Sequence, residues 1–125
     1  MSDTGEALDM TNEVSDNRSL NMQKLNDTFM NNEVIIKKIL SAFKNSFGDF
    51  EGQFREAEST EDTEVMSRLA HSLKGSAGNI RAESLSEKAE KLQLKIDGGD
   101  QIADEFDDLL NSLDSLNKEI DALLA

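Results

Sequence analysis

Cysteine, proline, tryptophan and tyrosine are all missing from this chain of 125 residues, and histidine occurs once, as His71. Without cysteine there can be no disulfide framework, no thiol nucleophile and no thiolate-ligated metal centre. A lone histidine leaves little from which to build a structural zinc site or a His-paired metal site. No run approaches the ~18 apolar residues needed to cross a bilayer. The opening residues, MSDTGEALDM, have neither the basic start nor the apolar run of a secretory signal. Positive charge is scarce as well: 13 Lys and Arg stand against 26 Asp and Glu, a formal net charge of −13. Nucleic acid and anionic membrane surfaces repel such a chain. The expectation is a cytoplasmic protein with no nucleic-acid and no membrane partner, its charge serving either solubility or a preference for partners with basic patches.

What is present is enough for one packed domain. Leu, Ile, Val and Phe together number 31 of the 125 residues, above the ~20% floor below which a charged chain stays disordered. The lack of proline, with few β-branched and aromatic residues, favours helix throughout. Residues 1–19 read as a polar, acidic tail with a short helical turn near its start, and residues 20–125 as a helical domain. Met22, Leu25 and Phe29 mark a short first helix, and Asn31 is placed to cap the next. In that next helix Ile36, Leu40, Phe43, Phe47, Phe50 and Phe54 recur in steps of four and three, a core stripe rather than an aromatic binding platform. Ser59 and Asp62 form a capping signal for a helix bearing Met66, Leu69, Ala70, Leu73, Ala77 and Ile80. Ala82, Leu85, Ala89, Leu92 and Ile96 mark a further helix, followed by an Asp97-Gly98-Gly99 turn and Asp100 as the cap of the last one. That one carries Ile102, Phe106, Leu109, Leu113, Leu116, Ile120 and Leu123. The fold class is therefore all-α: an antiparallel four-helix bundle, its long helices starting near residues 32, 61, 82 and 101, with an additional short N-terminal helix over one end.

Residues 70–80, Ala-His-Ser-Leu-Lys-Gly-Ser-Ala-Gly-Asn-Ile, carry the functional information. At about 100° per residue, Leu69, Leu73 and Ile80 lie roughly 160–200° from His71. The histidine thus sits at the centre of the polar face, open to solvent. Glu64, Ser67, Arg68, Lys74, Gly75 and Gly78 fall within about 60° of it. A helix-interior glycine costs ~1 kcal/mol relative to alanine, so two on one exposed face need a reason. One is removal of side chains beside the imidazole so that a partner's backbone can approach; the other is that Gly78 marks a helix end and Gly75 is incidental. Lys74, one turn on, can place its ammonium beside an anion on His71.

This segment resembles the signature of the histidine-containing phosphotransfer (HPt) domains of multi-step two-component signalling. The likeness runs on through Ala82, Leu85, Ala89 and Leu92, back to Leu40 and Phe43, and covers about residues 20–124. It implies that His71 is the phosphorylated nucleophile, that Lys74 sits beside the phosphoryl group, and that Gly75 gives the close approach. With them, Ser67, Arg68, Gly78 and Arg81 make up the expected receiver-docking face. Arg81 departs from the family pattern, which usually has glycine there; either the helix continues and its charge falls on the Lys74 side, or it ends the helix differently. The chain lacks the GxxxxGK[ST] and GxGxxG loops of nucleotide sites. Its acidic clusters, such as Asp104-Glu105 and Asp107-Asp108, do not fit a calcium loop.

A phosphocarrier without its own kinase activity is therefore expected, not an enzyme, and no cofactor bound by this chain. The resemblance implies a phosphoryl donor, the receiver domain of a hybrid sensor histidine kinase, and an acceptor, the receiver domain of a response regulator, with Mg²⁺ on the partner receiver. A monomer is expected, and a polar segment after an initiating Met1 favours a free-standing protein. The competing readings are the phosphorylated domain of a chemotaxis-type kinase, the dimerising helices of a sensor kinase, and a helical interaction bundle that never carries phosphate.

Overall fold

The computed structural model describes residues 20–125; the tail and helical turn expected for residues 1–19 lie outside the described residues. Among the described residues there are six α-helices and no strand: α1 (Met22–Thr28), α2 (Glu33–Ser46), α3 (Phe50–Ser59), α4 (Thr63–Asn79), α5 (Glu83–Asp97) and α6 (Ala103–Leu124). The apolar stripes account for the interior. Every side chain in the buried core of the described residues is hydrophobic, and no polar or charged residue is buried with them. The most extensive packing is between α4 and α5, followed by α5 with α6, α3 with α4, and α2 with α6, so the contacts run in series from α2 through α6, α5 and α4 to α3. Ala70 and Ala77 of α4, Ala89 of α5 and Ala82 between them are fully buried. Small side chains on facing helices let the backbones come close, and that explains why this pair packs best.

The stripe expected to form one long first wall is divided. The ladder stops at Ser46 and resumes at Phe50, with Phe47, Gly48 and Asp49 forming a turn. Gly48 weakens helix propensity at this point, and the Asp49 carboxylate lies over Gly52, where an added Cβ would meet its Oδ1 at 2.5 Å. The apolar row survives the break because Phe47 and Phe50 are both buried. Ring centroids follow at 5.0 Å (Phe43–Phe47), 6.4 Å (Phe47–Phe50) and 5.9 Å (Phe50–Phe54), and the row ends with Phe54 stacked on Phe106 of α6 at 4.2 Å. Aromatic pairs at such separations are favourable beyond the area they bury.

Three helix starts are capped alike: the side chains of Asn21, Asn32 and Asp62 accept from the backbone N–H of Lys24, Ile35 and Val65. The cap of α2 is thus Asn32, not Asn31, because Asn31 takes a left-handed conformation (φ 59°) to reverse the chain after α1. The cap of α4 is Asp62 alone. Ser59 belongs to the end of α3, where its hydroxyl donates to the Glu56 carbonyl at 2.8 Å. Asp100 is not the cap of α6: its N–H closes the end of α5 by donating to the Lys95 carbonyl at 2.9 Å, and α6 starts after Ile102 without a side-chain cap. Asp104 and Glu105 in the first turn of α6 supply the negative charge that a helix N-terminus favours.

The ends of α3, α4 and α5 share one reversal. The N–H of Asp62, Ala82 and Asp100 donates to the carbonyl five residues back, and Glu61, Arg81 and Gly99 before them have positive φ. This is the Schellman arrangement, in which glycine is the unstrained choice. Only Gly99 meets that preference. The short α1 is fastened to the α4–α5 reversal: Asn21 N–H donates to the Arg81 carbonyl, Lys24 pairs with Glu83 at 2.9 Å, and Leu25 is fully buried.

Two measurements test these features. Glu61 is exposed at φ 57°, and a left-handed L-residue costs ~1 kcal/mol or more. Glu61→Gly is expected to raise stability by about 1 kcal/mol, roughly 4–8 °C in Tm for a domain of this size; an unchanged or lower Tm contradicts the assigned strain. Across the α5–α6 interface Lys95 Nζ lies 3.1 Å from Glu105 Oε2. Its hydrogen bond, with help from the Glu105 backbone, holds that carboxyl below its ordinary value of 4.5. A lowered folded-state value means that the contribution to stability is complete above the unfolded-state value and fades as pH falls through the folded one. Lys95→Met is expected to move the Glu105 carboxyl titration, read by carbon NMR, upward toward 4.5. It should also destabilise the protein at neutral pH and not in strong acid; an unmoved titration contradicts the pairing.

Candidate functional site

His71 lies in the middle of α4 with its side chain exposed. The helix turns it there by burying the opposite side: Ala70, Leu73 and Ala77 are fully buried and Met66 nearly so. Among the described residues the imidazole has no hydrogen-bond or ion-pair partner, which leaves both ring nitrogens accessible. Beside it an open depression runs between α4 and α5, lined by Thr63, Glu64, Ser67, Arg68 and His71 on one side and Gln93, Ile96 and Asp97 on the other.

The two glycines on this face differ. A Cβ on Gly75 would meet nothing within 4 Å, so no contact among the described residues demands glycine there. A Cβ on Gly78 would meet Ser86 Oγ of α5 at 3.6 Å, an ordinary contact, and Gly78 belongs to the last turn of α4. Gly75 is therefore a gap beside His71 on the outer surface, while Gly78 lies toward α5 at the helix end.

The polar neighbours are shared out between the two helices. Ser67 is committed to α5: its hydroxyl donates to Asp97 Oδ1 at 2.7 Å and accepts from Gln93 Nε2 at 3.5 Å. Lys74 also reaches across, with Nζ 3.4 Å from Glu90 Oε2, and its carbonyl accepts from Ser86 Oγ at 2.9 Å. Arg68 is exposed at the rim of the depression and has no ion pair with any described residue. Arg81 does not share the face. The helix stops at Asn79, Arg81 turns left-handed at φ 64°, and its Nε donates to Thr28 Oγ1 of α1 at 3.0 Å. The helical extrapolation that put its charge on the Lys74 side fails because the helix ends two residues earlier. The conformation also explains why glycine suits this position.

The residues that the sequence reading missed are all on α5. Ser86, Glu90, Gln93 and Asp97 recur in steps of four, three and four, so they form one polar strip, and their hydrogen bonds and ion pair turn that strip toward α4. The spacing was visible in the sequence; which helix it would face was not.

Such a site offers one solvent-facing nucleophile, a gap that lets another surface come near it, and two cations within a turn. A family model for the Hpt domain matches residues 38–125, which takes in His71, Gly75 and every helix from the body of α2 onward. No curated protein and no solved structure matches the chain. Among the described residues no helix is long and apolar enough to cross a membrane. With most of its length matched, the chain belongs to the Hpt domain family, whose members carry phosphoryl groups in two-component relays and engage receiver domains.

Proposed function

We propose that this protein accepts a phosphoryl group on His71 from the aspartyl phosphate of a hybrid sensor kinase's receiver domain, and passes it to the receiver aspartate of a response regulator. The observation that carries this reading is an exposed imidazole, without a partner among the described residues, next to a glycine at which an added side chain would meet none of them. In the first step an imidazole nitrogen attacks phosphorus in line. The N–P bond forms as the P–O bond to the donor carboxylate breaks, and the ring loses its N–H proton to solvent. In the second step the acceptor carboxylate attacks, the N–P bond breaks, and the ring takes a proton back. Neutralising charge on the moving group is the main catalytic demand of phosphoryl transfer. Lys74 is assigned to that task from this chain, with Arg68 at the rim, while Mg²⁺ is expected on the partner receiver and no cofactor on this chain. Gly75 and Gly78, with Ser67 and Arg68 from the depression, make the docking face; Arg81 serves the α4–α5 reversal instead.

The series of helix contacts supports the finer architecture as well. It is that of an antiparallel four-helix bundle in which α2 and α3 together make one wall, with α1 as the additional short helix at one end. A monomer in the cytoplasm completes the proposal, since a carrier that visits two partners in turn needs a modest, transient interface.

Two variants test it. Because His71 is exposed, His71→Gln is expected to shift stability by no more than ~0.5 kcal/mol while abolishing uptake of labelled phosphate from a phosphorylated receiver; continued uptake would assign the phosphate elsewhere. At Gly75, where an added Cβ meets none of the described residues, glutamine is expected to stabilise α4 by roughly 0.5–1 kcal/mol through helix propensity. The same substitution should slow transfer at least about tenfold, the rate equivalent of ~1.4 kcal/mol, by standing between His71 and the receiver. Transfer at the unaltered rate would remove Gly75 from the interface.

A further inference from the structure

We propose that Glu90 is a positioning residue that competes with the phosphoryl group for Lys74, and thereby sets how firmly phosphorylated His71 is held. The inference rests on the phosphocarrier reading above and extends it to a residue on another helix. Lys74 Nζ lies 3.4 Å from Glu90 Oε2, with the two side chains 37% and 51% exposed. Half-exposed pairs of this kind are weak, so the ammonium is held by α5 without being locked there. The Lys74 backbone is better fixed, because its carbonyl accepts from Ser86 Oγ at 2.9 Å. The flexible part is the four-carbon stem, which can swing toward either anion. Lys74 follows His71 by three residues, so the same ammonium can reach a group on the imidazole one turn away.

A phosphoryl group brings close to two negative charges and three acceptor oxygens, against one charge on Glu90. Phosphorylation therefore draws Lys74 from the carboxylate. Glu90 then acts twice in the same direction. It holds on to part of the ammonium, and it stands as a like charge near the phosphoryl dianion. The charged groups on this side are Glu64, Arg68 and Lys74 from α4 and Glu90 and Asp97 from α5. Asp97 is engaged by the Ser67 hydroxyl, which leaves Glu90 as the carboxylate that takes the lysine. A carrier must surrender its phosphate as readily as it accepts it, and a competing carboxylate keeps the lysine from making phosphorylated His71 a trap.

The test uses the full chain phosphorylated chemically with phosphoramidate, whose P–N bond breaks as the bond to His71 forms and ammonia leaves. Phosphorus NMR of the phosphohistidine then reports the second ionisation of the phosphoryl group as a function of pH. Four proteins are compared: the unaltered chain, Glu90→Gln, Lys74→Gln and the double variant, each checked for unchanged helix content by circular dichroism. Glu90→Gln is expected to lower the titration midpoint by a few tenths of a pH unit, a roughly two- to fivefold gain in the dianion's stability. In the Lys74→Gln background the same substitution is expected to move the midpoint by less than half as much, since only the direct repulsion is left. No movement in the unaltered background, or equal movement in both, overturns the role of Glu90. Absence of a phosphohistidine signal that His71→Gln would remove overturns the phosphocarrier reading itself.

Discussion

Burial of Ala70, Leu73 and Ala77 on one side of α4 dictates where His71 points. The imidazole is opposite that stripe by helical geometry, and it cannot turn inward without bringing Leu73 out. Exposing one leucine costs about 1.5–3 kcal/mol, a large share of the ~5–15 kcal/mol that holds a domain of this kind together. The alanines raise the stakes, since the close seam between α4 and α5 leaves no room for a larger residue to rotate into their place. An imidazole with no hydrogen-bond partner among the described residues is in this way aimed by apolar groups on the opposite side of its helix.

Electrostatics are arranged with the same economy. In a chain of net charge −13, most lysines of the described helices serve as clasps between elements. Lys24 meets Glu83, Lys44 meets Asp121, Lys88 meets Asp108, Lys95 meets Glu105 and Lys74 meets Glu90. Each is individually weak; together they join α1, α2, α4 and α6 to a neighbour. Arg68 alone among the cations beside His71 is left outside this scheme, at the rim where a visiting anion would arrive.

How legible all this was depends on how local each cause is. The helix stripes and the exposure of His71 follow from 100° steps along a chain, and the sequence reading placed both. Gly75 was also readable, since helix propensity marks it as unexplained from within. The caps were less so. Asn31 and Asn32 have the same chemistry, as do Ser59 and Asp62 in part, and the choice between them depends on which residue goes left-handed to reverse the chain. Arg81 was misplaced for that reason: nothing in its own character announces positive φ, and the turn is imposed by the seam that pulls α5 back along α4. Glu90, Gln93 and Asp97 went unseen because their meaning comes from a neighbouring helix whose rotation is settled only on packing.

The interruption between α2 and α3 bears on how motion spreads through the molecule. Helical cooperativity passes along the backbone hydrogen-bond ladder, and here the ladder is cut at Phe47, Gly48 and Asp49 while the phenylalanine rings carry on across the gap. Side-chain stacking transmits packing but not the residue-by-residue zippering of a continuous helix. Fraying that travels along the wall from α2 therefore meets a natural firebreak before α3, whose Phe54 is anchored on Phe106. Loosening of α1 bypasses that break, because its clasp on the α4–α5 reversal reaches the histidine-bearing helix directly.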